Sequence, residues 1–179
     1  FKNIEYRWER IIKEQNQRIG EYGRKVRIQL GTTLTALLII DSKFMMIGHV
    51  GDSRVYRIDD KLTVLTDDQT VVGREIKRGT MTPEQANSDP RRNVLLQCIG
   101  ASKLVTPDFV YGKPAIGDVY VLCSDGFRHT LTETEIFHAF SPQQLMNEKI
   151  MEQKVYELVE LNKQREETDN ISVLLIKIL

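Results

Sequence analysis

A chain of 179 residues with 41% hydrophobic residues is long enough to form one globular domain with a substantial core. Its 25 basic and 25 acidic side chains cancel, so no net field would attract nucleic acid or an anionic membrane, and we expect neither as a partner. No apolar run reaches the length of a membrane span, and Cys98 and Cys123 lie inside apolar runs, as buried free thiols would. We therefore expect a cytoplasmic protein.

The first half of the chain predicts one helix followed by strands. Residues 1–18 place Ile4, Trp8, Ile11 and Ile12 at helical spacing among charged residues, which indicates an amphipathic helix. A mobile connector containing Gly20 and Gly23 is predicted over residues 19–30. Four runs of strand-like sequence then follow, in the order typical of an antiparallel meander: TLTALLIID, KFMMIGHVG, RVYRID and KLTVLT.

The second half mixes short helices with strands. TVVGREIKRG predicts a helix closed by Gly79, and TMTPEQA predicts another with Thr82 as its N-cap. Strands are predicted over NVLLQCIG, VTPDFVYG, DVYVLCSDG and the terminal NISVLLIKIL. Thr132 and Glu135 match a capping box, and a longer helix is predicted over residues 141–163. Because strands and helices occur in blocks, the pattern favours an α+β fold with antiparallel sheets in a single domain.

Three aspartates share one context at the ends of predicted strands: Asp52, Asp125 and Asp169. Two of them stand beside glycine, which allows close approach, and carboxylates at rigid strand ends suit an oxygen-preferring cation such as Mg2+ or Mn2+. The competing interpretation is that Asp is simply common where strands turn. Spacing alone leaves both interpretations open.

Other catalytic chemistries find less support in the sequence. Zinc ligand spacings of the HxxxH or CxxC type are absent, as are a G-x-S-x-G elbow and a G-x-x-x-x-G-K-[ST] loop. None of the three histidines, His49, His129 and His138, has an acidic partner that is evident in the sequence. We therefore predict no catalytic residue beyond the metal ligands.

Several motifs, in order, resemble the bacterial branch of the metal-dependent type 2C (PPM) protein serine/threonine phosphatases. They are GTTLTALLI, GHVGDSRVYRI, LTDDQTVVGREIKRGTMTPEQANSDPRRNVLLQCIG, GDVYVLCSDGF and TDNISVLLIKI. This resemblance implies a four-layer α-β-β-α sandwich built on two antiparallel sheets. It also implies that a metal-activated water hydrolyses phosphoserine and phosphothreonine in proteins that are targets of a serine/threonine kinase, a signalling role.

The resemblance also implies which residues bind metal. Asp125 and Asp169 would be ligands of a centre with two Mn2+ or Mg2+ ions, and Asp52 would share a third, weaker cation with Asp125. The family's N-terminal Arg, Asn-Glu-Asp and Asp-Gly-x-Gly-Gly motifs are not found in these 179 residues, and Gln69 stands where a His is usual. We therefore expect an N-terminally incomplete catalytic domain that has little activity alone and that associates through an exposed sheet surface.

Two alternatives to the enzyme remain at this point. One is a non-catalytic module with the phosphatase fold that regulates or binds a partner, although the three retained aspartates argue against it because clustered carboxylates are costly. The other is a phosphatase-fold regulator that acts on a partner of the anti-sigma type. The segment from Leu65 to Gly100 favours the general protein phosphatase branch over this regulator.

Overall fold

The computed structural model describes residues 2–179, apart from the side chain at position 87. The helices of this part of the chain are α1 (Lys2–Val26), α2 (Val71–Lys77), α3 (Pro83–Ser88), α4 (Asp125–Arg128), α5 (Glu133–Phe140) and α6 (Glu148–Gln164). The strands are β1 (Leu34–Ile40), β2 (Phe44–Val50), β3 (Arg54–Ile58), β4 (Leu62–Val64), β5 (Asp108–Gly112), β6 (Val119–Cys123) and β7 (Val173–Lys177). Within these residues, no helix combines the length and the apolar character needed to cross a membrane.

The strands form two sheets, with the orders β1-β2-β5 and β4-β3-β6-β7. The prediction of one meander through the first four strands is therefore wrong, because β2 and β3 belong to different sheets. The reason lies in β6, whose apolar run is almost entirely buried and takes an interior position in the second sheet. Strand β3 pairs with it antiparallel on one side and β7 on the other.

The chain divides into two compact units. The first contains the residues up to Leu38, Met46–Asp52 and Asp67–Tyr111, and the second contains Ile39–Met45, Ser53–Thr66 and Gly112–Leu179.

In the first unit, the prediction of a mobile connector at residues 19–30 is wrong over most of its length, because α1 continues to Val26. Both glycines lie inside the helix at points of close backbone approach. A Cβ on Gly20 would lie 2.9 Å from the carbonyl oxygen of Gly100, and one on Gly23 would lie 2.6 Å from that of Ile28. Glycine serves packing here, which offsets its weak helix propensity.

The predicted strand over NVLLQCIG is also wrong. In place of a strand, residues 93–100 contribute to two isolated β-bridges, Thr70 with Leu95 and Thr32 with Ile99. Polar side chains take the place of a strand ladder, because Gln97 bonds both the N–H and the carbonyl of Thr106, and Ser102 Oγ accepts the N–H of Cys98. The predicted N-cap at Thr82 is confirmed, with a capping box to Gln85.

In the second unit, helices α5 and α6 pack on the sheet that contains β3 and β6. The largest buried side chains of this core include Tyr56, Phe127, Phe140 and Leu158. The capping box of Thr132 and Glu135 is confirmed. The helix predicted from residue 141 begins only at Glu148, because Lys177 Nζ donates to the carbonyls of Pro142 and Leu145 and holds this stretch in a turn.

Candidate metal centre

Asp125 stands directly after strand β6, as the first residue of the short helix α4. The pairing of Cys123 with Val173 places the end of β6 beside the start of β7. The Asp125 side chain is half-buried, and its Oδ1 accepts the N–H of Gly126 at 2.9 Å. The carboxylate is therefore anchored at one edge of the sheet.

Ser124 links this strand end to the segment that precedes β7. Its N–H donates to the carbonyl of Ser172 at 3.0 Å, and its hydroxyl accepts the N–H of Ser172 at 3.0 Å. The same hydroxyl donates to the carbonyl of Asn170 at 3.1 Å. With its hydroxyl committed to these backbone groups, Ser124 is a structural link, which agrees with the absence of a nucleophile motif around it.

Gly126 brings the second aspartate close to the first. A Cβ at this position would lie 2.6 Å from the carbonyl oxygen of Asn170 and 3.1 Å from Cβ of Asp169. Only glycine permits this approach without displacing backbone. The structure therefore places the residue that follows Asp125 against Asp169, where the end of β6 meets the start of β7.

Asp169 is exposed, and the backbone around it is fixed by short-range hydrogen bonds. Its N–H donates to Oε1 of Glu167 at 2.9 Å, and its own Oδ1 accepts the N–H of Asn170 at 2.7 Å. A carboxylate that is open to solvent on a fixed backbone is free to bind a cation.

His129 is a residue of this site that sequence reasoning missed. Its Nε2 lies 3.7 Å from Oδ2 of Asp125, and its Nδ1 lies 3.5 Å from Oε2 of Glu167. The signal was present in the sequence DGFRH, since residues four apart on a helix share a face. The His129 ring thus lies between the carboxylates of Asp125 and Glu167.

Asp52 belongs to the first compact unit, whereas Asp125 and Asp169 belong to the second. It is half-buried in a turn where Gly51 has a φ of 118°, which favours glycine. Gln69 is 8% exposed and holds that turn at two points. Its side-chain Oε1 accepts the N–H of Gly51, and its backbone N–H donates to the carbonyl of Gly51, each at 2.8 Å. The turn that contains Asp52 is therefore rigidly held.

His49 is fully buried in the same unit and serves structure. Its Nε2 lies 3.1 Å from the carbonyl oxygen of Asp67, which only accepts, so Nε2 must be protonated and Nδ1 accepts from the Thr35 hydroxyl at 2.9 Å. Burial lowers the pKa of His49, against smaller opposing effects that include the charge of Asp108. The ring is a neutral part of the core.

Known proteins similar to this chain are protein phosphatases. No protein-family model matches it. The serine/threonine phosphatase stp of Listeria monocytogenes is 31% identical over 179 residues, which cover 98% of this chain and 69% of that protein. The structure of the Streptococcus agalactiae serine/threonine phosphatase matches with a TM-score of 0.89 and 30% identity, over 100% of this chain and 72% of that one. The chain belongs to the type 2C family of protein serine/threonine phosphatases.

The match to this family confirms the predicted α+β sandwich with two antiparallel sheets. A type 2C protein phosphatase of Streptococcus pyogenes is 32% identical over 92% of this chain, and PstP of Mycobacterium tuberculosis is 30% identical over 84% of it. The chain spans 65% of the length of the first relative and 28% of the second.

The residues of this type 2C chain fit a divalent cation in chemical type. The catalytic domain of PstP in complex with two manganese ions matches this chain with a TM-score of 0.74 and 29% identity. Carboxylate oxygens such as those of Asp125 and Asp169 are the ligands that Mn2+ and Mg2+ prefer. Within residues 2–179 there is no group of three His, Cys, Asp or Glu side chains arranged to hold a metal. Asp125 and Asp169 are thus two oxygen donors of the type that such a cation prefers.

Proposed function

We propose that this chain is the catalytic domain of a phosphoprotein phosphatase that hydrolyses phosphoserine and phosphothreonine with Mn2+ or Mg2+. In this proposal Asp125 and Asp169 are the metal ligands, and Asp52 contributes to a third, weaker cation. The observation that supports it most is the close approach at Gly126, where a Cβ would lie 3.1 Å from Cβ of Asp169. Membership of the type 2C family supports the reaction class.

We further propose that the 179 residues form a single catalytic domain without the family's N-terminal motifs. Those motifs supply an Arg and further carboxylates in the family, and they are not found in these 179 residues. Two carboxylates leave most positions of an octahedral cation to water. We therefore expect weak metal binding and little turnover from these residues alone.

The side chains at the site have separable roles in this proposal. When bound, a pair of divalent cations supplies a low-pKa water as nucleophile and positive charge against the phosphoryl oxygens. Asp125 and Asp169 present carboxylate oxygens from one sheet edge. His129 lies beside that carboxylate, with its Nε2 3.7 Å from Oδ2 of Asp125, and Oε1 of Glu167 holds the backbone of Asp169 by accepting the Asp169 N–H.

The substrates, the location and the associations of the protein are also proposals. We propose phosphorylated proteins as substrates, in particular targets of a bacterial serine/threonine kinase, and a cytoplasmic signalling role. The names of the relatives support the substrate class. Association through an exposed sheet surface stays a prediction. Leu174 on β7 is 55% exposed and is the residue at which we expect such a contact.

The proposal is tested by turnover of a phosphothreonine peptide in the whole protein that contains these residues. We expect activity with Mn2+, no activity with excess chelator, and loss of activity in Asp125→Asn and Asp169→Asn. Asp59→Asn is the matched control, since Asp59 is a turn aspartate whose Oδ1 accepts the N–H of Lys61. Turnover that survives both the chelator and Asp125→Asn would contradict the proposal.

The same experiment decides the alternative of a non-catalytic binding module. The finding that favours this alternative is the lack of a three-ligand group in the part of the chain that the structure describes. A module of this kind would bind Mn2+ weakly or not at all and would give no turnover even in the whole protein.

A further inference from the structure

Asn162 is a fully buried amide near the end of helix α6. Its Nδ2 donates to the carbonyl oxygens of Phe127 at 3.0 Å and Leu158 at 3.1 Å. Its Oδ1 accepts from the hydroxyl of Thr130 at 2.6 Å. The hydrogen-bonding groups of the amide are thus satisfied, as burial of a polar group requires.

The position of Asn162 is explained by the short helix that it contacts. Helix α4 has four residues, Asp125–Arg128, so its carbonyl groups obtain few partners from the helix itself. Phe127 is fully buried, where water would not replace a missing donor. A leucine at position 162 would pack well against the neighbouring core, yet it would leave the carbonyl of Phe127 without the donor that it now has.

The backbone of Asn162 leads to the other aspartate. Its carbonyl oxygen accepts the N–H of Glu167 at 3.1 Å, and Oε1 of Glu167 accepts the N–H of Asp169 at 2.9 Å. Phe127 comes two residues after Asp125, and Glu167 comes two residues before Asp169. One buried residue is therefore hydrogen-bonded to both segments that contain the metal-binding aspartates.

We propose that Asn162 is a positioning residue that fixes the carboxylates of Asp125 and Asp169 relative to each other, and thereby sets the affinity for Mn2+. This inference rests on the proposed function, which makes those aspartates the ligands. Loss of the Asn162 amide releases the carbonyl of Phe127 and lets α4 shift, so Asp125 no longer holds one position relative to Asp169. Groups that orient metal ligands typically change metal affinity by about 10–100-fold when they are removed.

The test measures the Kd for Mn2+ of the folded protein, from the electron paramagnetic resonance signal of free Mn2+, together with the thermal unfolding midpoint. We expect Asn162→Leu to weaken Mn2+ binding by about tenfold at a temperature where the variant is folded. Thr130→Val removes one partner of the amide and is expected to give a smaller loss in the same direction. Thr130→Ser keeps the hydroxyl, so we expect its Kd for Mn2+ to equal that of the unmodified protein.

The matched control is Leu158→Ala, one turn earlier in the same helix. Leu158 is 6% exposed and packs in the core, and it is the Leu158 backbone carbonyl, which alanine keeps, that accepts from Asn162. We expect this variant to lower the unfolding midpoint and to leave the Kd for Mn2+ unchanged. A Kd that rises equally in Leu158→Ala would show that general destabilisation is responsible and would overturn the inference.

The remaining outcomes separate the inference from the proposed function. If Asp125→Asn weakens Mn2+ binding while Asn162→Leu and Thr130→Val do not, the positioning role is refuted and the proposed function stands. If Asp125→Asn leaves Mn2+ binding unchanged, both are refuted. If Asn162→Leu does not fold, the comparison of Thr130→Val with Thr130→Ser decides, and equal Kd values in these two variants would refute the positioning role.

Discussion

Replacing Gly126 with alanine tests the close approach between the two segments of the site. Gly126 has no positive φ, so the substitution introduces no backbone strain, and in a helix it gains up to about 1 kcal/mol of propensity. The new Cβ, however, would lie 2.6 Å from the carbonyl oxygen of Asn170, where ordinary contact begins at 3.4 Å. Overpacking of this kind costs about 1–3 kcal/mol. Because the contacted atom of Asn170 belongs to the backbone and cannot rotate away, we expect the cost of overpacking to exceed the gain in helix propensity.

We expect Gly126→Ala to lower the free energy of unfolding by about 1–2 kcal/mol in urea titrations, and to weaken Mn2+ binding by roughly tenfold. Gly112→Ala is the matched control, because the nearest atom to its Cβ, at 2.7 Å, is the terminal methyl carbon of Met45, which can move. That variant should bind Mn2+ as the unmodified protein does. If Gly126→Ala retains both its stability and its Mn2+ affinity, the inferred proximity of Asp125 and Asp169 is incorrect.

Three further substitutions test other parts of the structure. Burial lowers the pKa of His49 below its ordinary 6.5, so the unfolded chain binds more protons than the folded one in acid. The contribution of His49 to the free energy of unfolding is therefore full above about pH 6.5 and is lost as the pH falls towards the folded pKa. Urea titrations at several pH values should find a flatter pH dependence of the free energy of unfolding in His49→Gln. Glu166 has a φ of 60° just after α6, so Glu166→Gly should raise the free energy of unfolding by about 0.5–1 kcal/mol, and a decrease would contradict the inferred strain. Gln69→Leu leaves the buried N–H of Gly51 without its acceptor and should cost about 1–3 kcal/mol in the same assay, whereas an unchanged midpoint would show that the turn is held by other contacts.

The parts of the fold that were predictable from the sequence are those fixed by local chemistry. The N-cap at Thr82, the capping box at Thr132 and the strand β6 follow from short patterns of residue type, and all of them are confirmed. The errors occurred where distant partners override local preference. Gly20 and Gly23 lie inside a helix because distant backbone approaches them closely, and the predicted strand over residues 93–100 gives way to hydrogen bonds with polar side chains.

For the candidate site, the sequence located the aspartates and the structure supplied their surroundings. Asp125 and Asp169 were predicted from their position at strand ends and from the family resemblance. Their contact through Gly126 and the link through Ser124 depend on the pairing of β6 with β7, which residue types do not specify. Asn162 could not be found from sequence, because its partners lie 32 and 35 residues away.

The most direct test of the central claim, that Asp125 and Asp169 form one metal site, is a double-mutant cycle on the Kd for Mn2+. Asp125→Asn, Asp169→Asn and the double variant are compared with the unmodified protein. Ligands of one site are coupled, so we expect the double variant to bind Mn2+ no more weakly than the weaker single variant. Losses in binding free energy that add up independently would place the two aspartates in separate sites and contradict the account.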